Sequence, residues 1–539
     1  MRKLVECVPN FSEGRDRAVI DAIAEAIRRT AGCTLLDVDP GASTNRTVYT
    51  FVGAPEAVVA GALAGALAAR GRIDMRRQAG EHPRVGALDV CPFVPVSGVT
   101  MAECVELAKA FGQRLAAELG VPVFLYGHAA SADERRTLQQ IRAGEYEALA
   151  QRIVQPQWRP DFGPASFVPD WGATCAGARD FLIAYNVNVL GTKEQAHRIA
   201  LDIREAGRGP GQPGMLKAVR AIGWQVAEYG LAQVSINLED FRRTPPHAAF
   251  EACVEQAKLL GLAVTGSELV GLIPLEALLL AAEHFIAKEG LFIVDERQKV
   301  RLAVERLGLS SISPFTPEKR VIEYLLPKHE DEPLASSSVR GFVEALGART
   351  PAPGGGSASA LIAALGAALG TMVGWMTYGK RKFADEDAVM RRSIPPLHEA
   401  MKVLVPLIDR DTRAFDAYLA AVGMPKGSAQ EQTARHQALQ DGLKAAVQVP
   451  LEVMRTADRC WAPMLELARH GNIASRSDLE VGAGALETGI WGASRNVAIN
   501  LPGIDDAGFR TATSTESETL AQRAAEQRAV VLETLAARS

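Results

Sequence analysis

Gly80-Glu81-His82-Pro83-Arg84 sets an imidazole between a carboxylate and a guanidinium, just before the strand-like run from Val85 to Val96. Proline after His82 pushes the histidine out of helical backbone into an extended one. An imidazole held there titrates near neutrality and can take up and return a proton. The competing reading is a surface histidine with solvated neighbours; the density of special residues around His82 favours function. Glu81 and Arg84 are its supporting candidates. Asp39 closes the β-rich run that starts at Cys33, where a carboxylate can orient an imidazole or merely cap the turn.

A second candidate lies far downstream. Leu397, Met401, Leu404, Ile408, Asp411, Phe415, Tyr418 and Val422 follow a three–four spacing along one helix face. Asp411 interrupts an apolar seam, so desolvation there would raise its pKa into a range useful for acid/base work. A structural carboxylate paired with an arginine of a neighbouring helix explains the spacing equally well. Asp409 and Asp416 fall off the seam and read as solvated.

Pro351-Ala352-Pro353-Gly354-Gly355-Gly356-Ser357 opens an uncharged helix whose first amides could bind an anion. Its Gly366, Gly370 and Gly374 make a smooth face for close helix packing. A second small-residue helix, Ser477 to Asn500, ends in Arg495, Asn496 and Asn500, either ligand contacts or a helix end. Phe162 to Trp171 joins rigid prolines to aromatic rings, which suits a flat heteroaromatic ligand or a packed linker. Gly207 to Gly214 reads as a mobile hairpin tip. No Walker loop, GxSxG or HExxH occurs.

The elements that must position these groups fall into two textures. Up to about residue 328, strand and helix signals alternate in the order β-α-β-β-α-β, twice. That order predicts an α+β half made of two ferredoxin-like subdomains, 1–178 and 179–328. Beyond an acidic linker at 329–335, alanine dominates and strand runs vanish, which predicts an all-α helical bundle over 336–539. Ser477 with Glu480 and Thr515 with Glu518 have the spacing of capping boxes.

With 539 residues the chain exceeds a single core, and its composition is that of a globular protein. A net charge of −4 without a basic stripe argues against nucleic acid. The seven cysteines are dispersed, odd in number and free of CxxC, so they read as reduced thiols rather than a metal site, in keeping with a cytoplasmic setting. Met1 to Glu6 reaches an acid too soon for a signal peptide. Gly354 to Gly379 is uncharged, yet its Gly, Ala and Ser argue for a buried helix rather than a membrane span.

Several strings go together. Leu4-Val5-Glu6-Cys7-Val8-Pro9-Asn10-Phe11-Ser12-Glu13-Gly14, Gly80 to Arg84, and Leu190-Gly191-Thr192-Lys193-Glu194-Gln195-Ala196-His197 resemble glutamate formimidoyltransferase. Ala352 to Ser357 and Met376-Thr377-Tyr378-Gly379 resemble the cyclodeaminase domain fused to it in the formimidoyltransferase-cyclodeaminase family. The resemblance runs in order from about residue 3 to about residue 535. It implies transfer of a formimino group from N-formimino-L-glutamate to N5 of tetrahydrofolate, then ring closure to 5,10-methenyltetrahydrofolate with loss of ammonia, the one-carbon steps of histidine breakdown. It maps the transferase base to His82 and the cyclodeaminase acid/base group to Asp411. It maps a folate-contacting segment to Gly163, Pro164, Ala165, Ser166, Phe167, Val168, Pro169, Asp170, Trp171 and Gly172. Tetrahydrofolate, with or without a polyglutamate tail, is then a co-substrate; no metal, redox cofactor, nucleic acid or membrane is implied, and a ring-like homo-oligomer is. Arg135, Lys193 and Asn188 are candidate holders of the glutamate carboxylates. A related reading makes the helical domain a methenyltetrahydrofolate cyclohydrolase, and a different one makes the chain a non-catalytic folate scaffold.

Overall fold

Alternating burial along Val219–Val226 and continuous burial along Leu88–Val94 are two strand patterns this chain uses. A computed structural model describes residues 3–42, 44–80, 82–226, 230–326 and 332–538, and the chain divides into two compact units, 1–326 and 327–539.

The first unit opens with β1 (Leu4–Cys7), β2 (Asn10–Phe11), α1 (Arg17–Arg28), β3 (Cys33–Gly41), β4 (Arg46–Gly53), α2 (Pro55–Ala69), β5 (Leu88–Ser97), α3 (Met101–Leu119) and β6 (Val123–Gly127). Two short helices, α4 (Leu138–Ile141) and α5 (Glu145–Arg152), precede β7 (Thr174–Ala178). β1 and β2 together lie between β5 and β4, and β3 continues the sheet beyond β4, all antiparallel. β7 and β6 then extend it beyond β5 as parallel strands. The sheet is therefore mixed rather than purely antiparallel. Its unexpected member, β7, reads Thr-Cys-Ala-Gly-Ala: Thr174 is its single β-branched residue, and burial between β5 and β6 makes the small residues after it a strand.

The second half of the unit contains β8 (Ile183–Leu190), α6 (Lys193–Ile203), β9 (Val219–Val226), β10 (Leu231–Leu238), α7 (Pro246–Leu259), β11 (Ala263–Val270), α8 (Leu275–Glu289), α9 (Glu296–Leu307), α10 (Pro317–Arg320) and α11 (Ile322–Leu325). Its antiparallel sheet runs β11-β8-β10-β9. Leu4, Val52 and Val94 of the first sheet share a core with β8 and β10, so the two sheets meet face to face. The glycine-rich segment 207–214 does fold back as a small hairpin, with Gly209 bridged to Gln212 and the Arg208 amide donating to the Gln212 carbonyl at 3.0 Å. It joins α6 to β9 and is tied down by Arg208 on Asp202 and by Arg204 Nε donating to the Gly207 carbonyl.

The second unit is helical: α12 (Val339–Leu346), α13 (Gly355–Thr377), α14 (Asp387–Val422), α15 (Ala429–Asp458), α16 (Trp461–His470), α17 (Arg476–Asn500) and α18 (Ala507–Ala536). α13 is apolar and long enough to suit a bilayer, but its glycine face is spent on other helices. A methyl at Gly366 would come within 2.8 Å of the Gly482 carbonyl oxygen and Leu486 on α17. Both expected capping boxes are wrong. Ser477 lies inside α17 and Thr515 mid-way along α18, where its hydroxyl donates back to Thr511. Ser/Thr-x-x-Glu also occurs within helices, and among the described residues boxes form at Thr100–Glu103, Thr137–Gln140, Thr192–Gln195 and Ser428–Glu431.

Candidate active sites

His82 ends the turn before Val85 with its ring half-buried. Nδ1 lies 2.8 Å from the Pro83 carbonyl oxygen. A carbonyl can only accept, so in the tautomer that uses this bond Nδ1 carries the proton and the lone pair is on Nε2. Arg46, the first residue of β4, brings one guanidinium nitrogen within 2.7 Å of Nδ1 and 2.9 Å of Nε2. Arg46 is itself fixed. Its Nε donates to Asn10 Oδ1 at 2.9 Å, and the buried Asp89 carboxylate lies 3.6 Å from it. Asp89 also pairs with Arg142 and accepts the Val85 amide. Burial, and then the Arg46 charge, push the imidazole below its ordinary pKa, with the Pro83 carbonyl opposing. The ring is therefore neutral at pH 7, the form a base requires. It lines a cavity of about 520 Å³ with Arg142, Glu145 and Glu147.

Glu81 lies outside the described residues. Arg84 is occupied: it bridges Glu145 at 3.0 Å and Glu147 at 2.8 Å, holding the start of α5 as one wall of that cavity. Asp39 is exposed at the end of β3, opposite Val48, and among the described residues makes no hydrogen bond to His82. Arg46 fills the orienting place expected for it. Segment 163–172 docks beside the histidine turn: Ala87 donates to the Trp171 carbonyl at 2.7 Å, and Gly86 bridges Gly172. Tyr146 of α5 packs on Phe167 and donates to the Pro169 carbonyl. Gly163, Ala165, Ser166 and Pro169 are exposed, and Pro164, Phe167, Val168 and Asp170 partly so. Asp170 pairs with Arg70 at 2.8 Å. The Trp171 ring is fully buried with its N–H on Thr174, so its indole face offers nothing to a ligand.

A second cavity, about 380 Å³, lies between the two sheets. Glu6, Asn10, Asp39 and Arg46 are on the first-sheet side, and Phe181, Ala184 and Leu272 on the other. Arg46 thus lines this cavity and touches His82. Burial pushes the Glu6 carboxyl up to about 7, the Arg179 charge opposing.

Asp411 reaches from the middle of α14 to the N-terminus of α13. Its carboxylate accepts from the Ser357 backbone amide and lies 3.2 Å from the Ser357 hydroxyl, which is also 2.8 Å from the Ile408 carbonyl. It rests on Gly356, where a methyl would fall 2.1 Å from Oδ1. Burial raises this carboxyl above its ordinary pKa, and the Ser357 donors pull it back part of the way. An amide expected to bind a substrate anion is thus already taken by the protein's own carboxylate. Asn496 of α17 faces Gly355 beside it, while Asn500 caps its own helix.

Other expectations change with the geometry. Asp409 is not solvated: it is buried, accepting the Leu334 and Ala335 amides at 2.8 and 2.9 Å. Arg135 is consumed by Asp161 and two backbone carbonyls, and Asn188 by Ser311 and Gln233. Lys193 stays at the exposed start of α6. Arg46 and Asn10 were missed as site residues. A signal existed: Asp89 interrupts the buried run Leu88–Val94, and a carboxylate there demands a cation.

A mixed α/β unit with a half-buried histidine beside one cavity and an arginine linking it to a second, joined in one chain to a helical unit with a partly buried carboxyl, has the build of a two-centre acid–base protein. Comparison with known sequences agrees with that division. Residues 4–179 match the model described as formiminotransferase domain, N-terminal subdomain; 184–327 match formiminotransferase domain; 338–519 match formiminotransferase-cyclodeaminase. The formimidoyltransferase-cyclodeaminase of Dictyostelium discoideum is 59% identical over 542 residues, covering 100% of both chains. The glutamate formimidoyltransferase of Streptococcus pyogenes serotype M1 is 40% identical over 54% of this chain and 95% of its own. The methenyltetrahydrofolate cyclohydrolase of Methylorubrum extorquens is 33% identical over 32% of this chain and 84% of its own. The chain belongs to the formimidoyltransferase-cyclodeaminase family.

Proposed function

We propose that the chain carries out both reactions of its family's name: formimino transfer from N-formimino-L-glutamate to N5 of tetrahydrofolate, then cyclisation to 5,10-methenyltetrahydrofolate with release of ammonia. The observation that carries this reading is the 59% identity over the whole length of a relative bearing both names. The cyclohydrolase alternative is supported by a weaker likeness over one third of the chain, and a non-catalytic scaffold has nothing in its favour.

In the first unit, neutral His82 takes the N5 proton as N5 bonds to the formimino carbon, and returns it to the glutamate nitrogen as that bond breaks. The 163–172 segment beside it would contact folate, most of it through backbone and its exposed residues. In the second unit, the Asp411 carboxyl gives a proton to the nitrogen that departs as ammonia and takes up the proton that N10 loses as it bonds to the formimino carbon and closes the ring. We keep the division into 1–178, 179–328 and 336–539. The ferredoxin-like reading of the first two is supported by the strand orders β5-β1-β4-β3 and β11-β8-β10-β9. A cytoplasmic homo-oligomer is part of the same proposal.

The test supplies formiminoglutamate and tetrahydrofolate and follows substrate loss, ammonia and methenyl absorbance. His82→Ala stops substrate consumption but still cyclises added 5-formiminotetrahydrofolate. Asp411→Ala lets the 5-formimino compound accumulate. Loss of both activities from either substitution overturns the assignment of separate centres.

A further inference from the structure

Glu6 is 3% exposed, yet among the described residues its carboxyl accepts no hydrogen bond and forms no ion pair. A buried carboxylate without donors is costly, so a ligand that supplies them gains more than it would in water. The side chain lines the cavity between the sheets, which Arg46 connects to His82.

From this geometry we infer that Glu6 receives the pyrimidine edge of the pterin, its two oxygens accepting from the 2-amino group and N3–H. The inference rests on the transferase reading and names how that site recognises folate. Both substrates carry adjacent N–H donors, since the formimino group is an amidine, and distance separates them. The formimino carbon must react beside His82, at the Asn10–Arg46 end of the cavity. Glu6 lies four residues back along β1 and β2, about 13 Å at the rise of a strand. An amidine held by Glu6 would strand its carbon away from the base. A fused bicycle laid along the cavity floor joins the two points, with its pyrimidine edge at Glu6 and N5 toward the imidazole. The walls fit a flat, half-polar ring: Val8, Val48 and Val90 below, Phe181 and Leu272 above.

The experiment uses the full chain and begins with wild-type turnover, so failure of the transferase reading itself is seen first. Glu6→Gln, which replaces one acceptor with a donor, should raise KM for tetrahydrofolate roughly ten- to a hundredfold, as loss of a charge-assisted pair predicts. KM for formiminoglutamate should stay within about twofold. In parallel, wild-type protein is offered tetrahydrofolate bearing a 2-methyl in place of the 2-amino group. It should suffer a similar KM penalty, and the variant should no longer distinguish the two folates. The wild-type arm stands even if the variant does not fold. A raised KM for formiminoglutamate with tetrahydrofolate unchanged, or equal use of both folates by the wild type, overturns the inference.

Discussion

At the scale of single residues, the proposed transferase centre sets a charge against the imidazole assigned as its base. Burial, and then Arg46, hold His82 below its ordinary pKa. A group whose pKa is depressed in the folded state keeps its neutral form down to lower pH, so the base stays available on mildly acidic ground. Arg46→Met removes the charge and keeps the stem, while Arg142 continues to pair Asp89. The acidic limb of kcat/KM for formimino transfer should then move to higher pH, read from a pH–rate profile of the free enzyme. An unmoved limb would mean that the titrating group is not this imidazole. His82 was visible in the sequence because proline, glycine and two charges crowd around it. Arg46 was hidden, because β4 meets the histidine turn only when the sheet closes.

At the scale of elements, Asp411 is held by the crossing of α14 over the start of α13. The three–four spacing of α14 marked this carboxylate, since an acid on an apolar stripe lands among neighbours that exclude water. The same spacing said nothing of Gly356, whose missing side chain makes the room. Gly356→Ala forces a methyl against Asp411. The expected outcome is about a hundredfold loss of cyclodeaminase rate from a displaced acid, with formimino transfer untouched, as two separate assays would record. A fully active variant would free Asp411 of its assigned role. Asp409 shows the limit of periodicity: it leaves the stripe yet is buried, because the segment Leu334–Ala335 needed an acceptor for its amides. β7 is a second limit, a strand recognisable only by its neighbours.

At the scale of the whole molecule, the first unit has its own core and the helical unit buries its own apolar residues, among them Leu404, Met454 and Leu486, and each holds one of the two titratable groups. Residues 1–326 alone should consume formiminoglutamate, and residues 332–539 alone should cyclise added 5-formiminotetrahydrofolate. A soluble fragment that is inert in its own assay would show that its centre borrows from the other half. Family membership was legible in the sequence because its strings lie where backbone and chemistry are both constrained. The subsites were not, because they arise from faces brought together by folding. Arg46 gives that folding one further meaning. The same guanidinium borders the inter-sheet hollow and suppresses the basicity of the imidazole next door. On the roles proposed above, a guest that tugs this cation aside lifts the restraint, and arrival of the acceptor and arming of the proton thief become a single event.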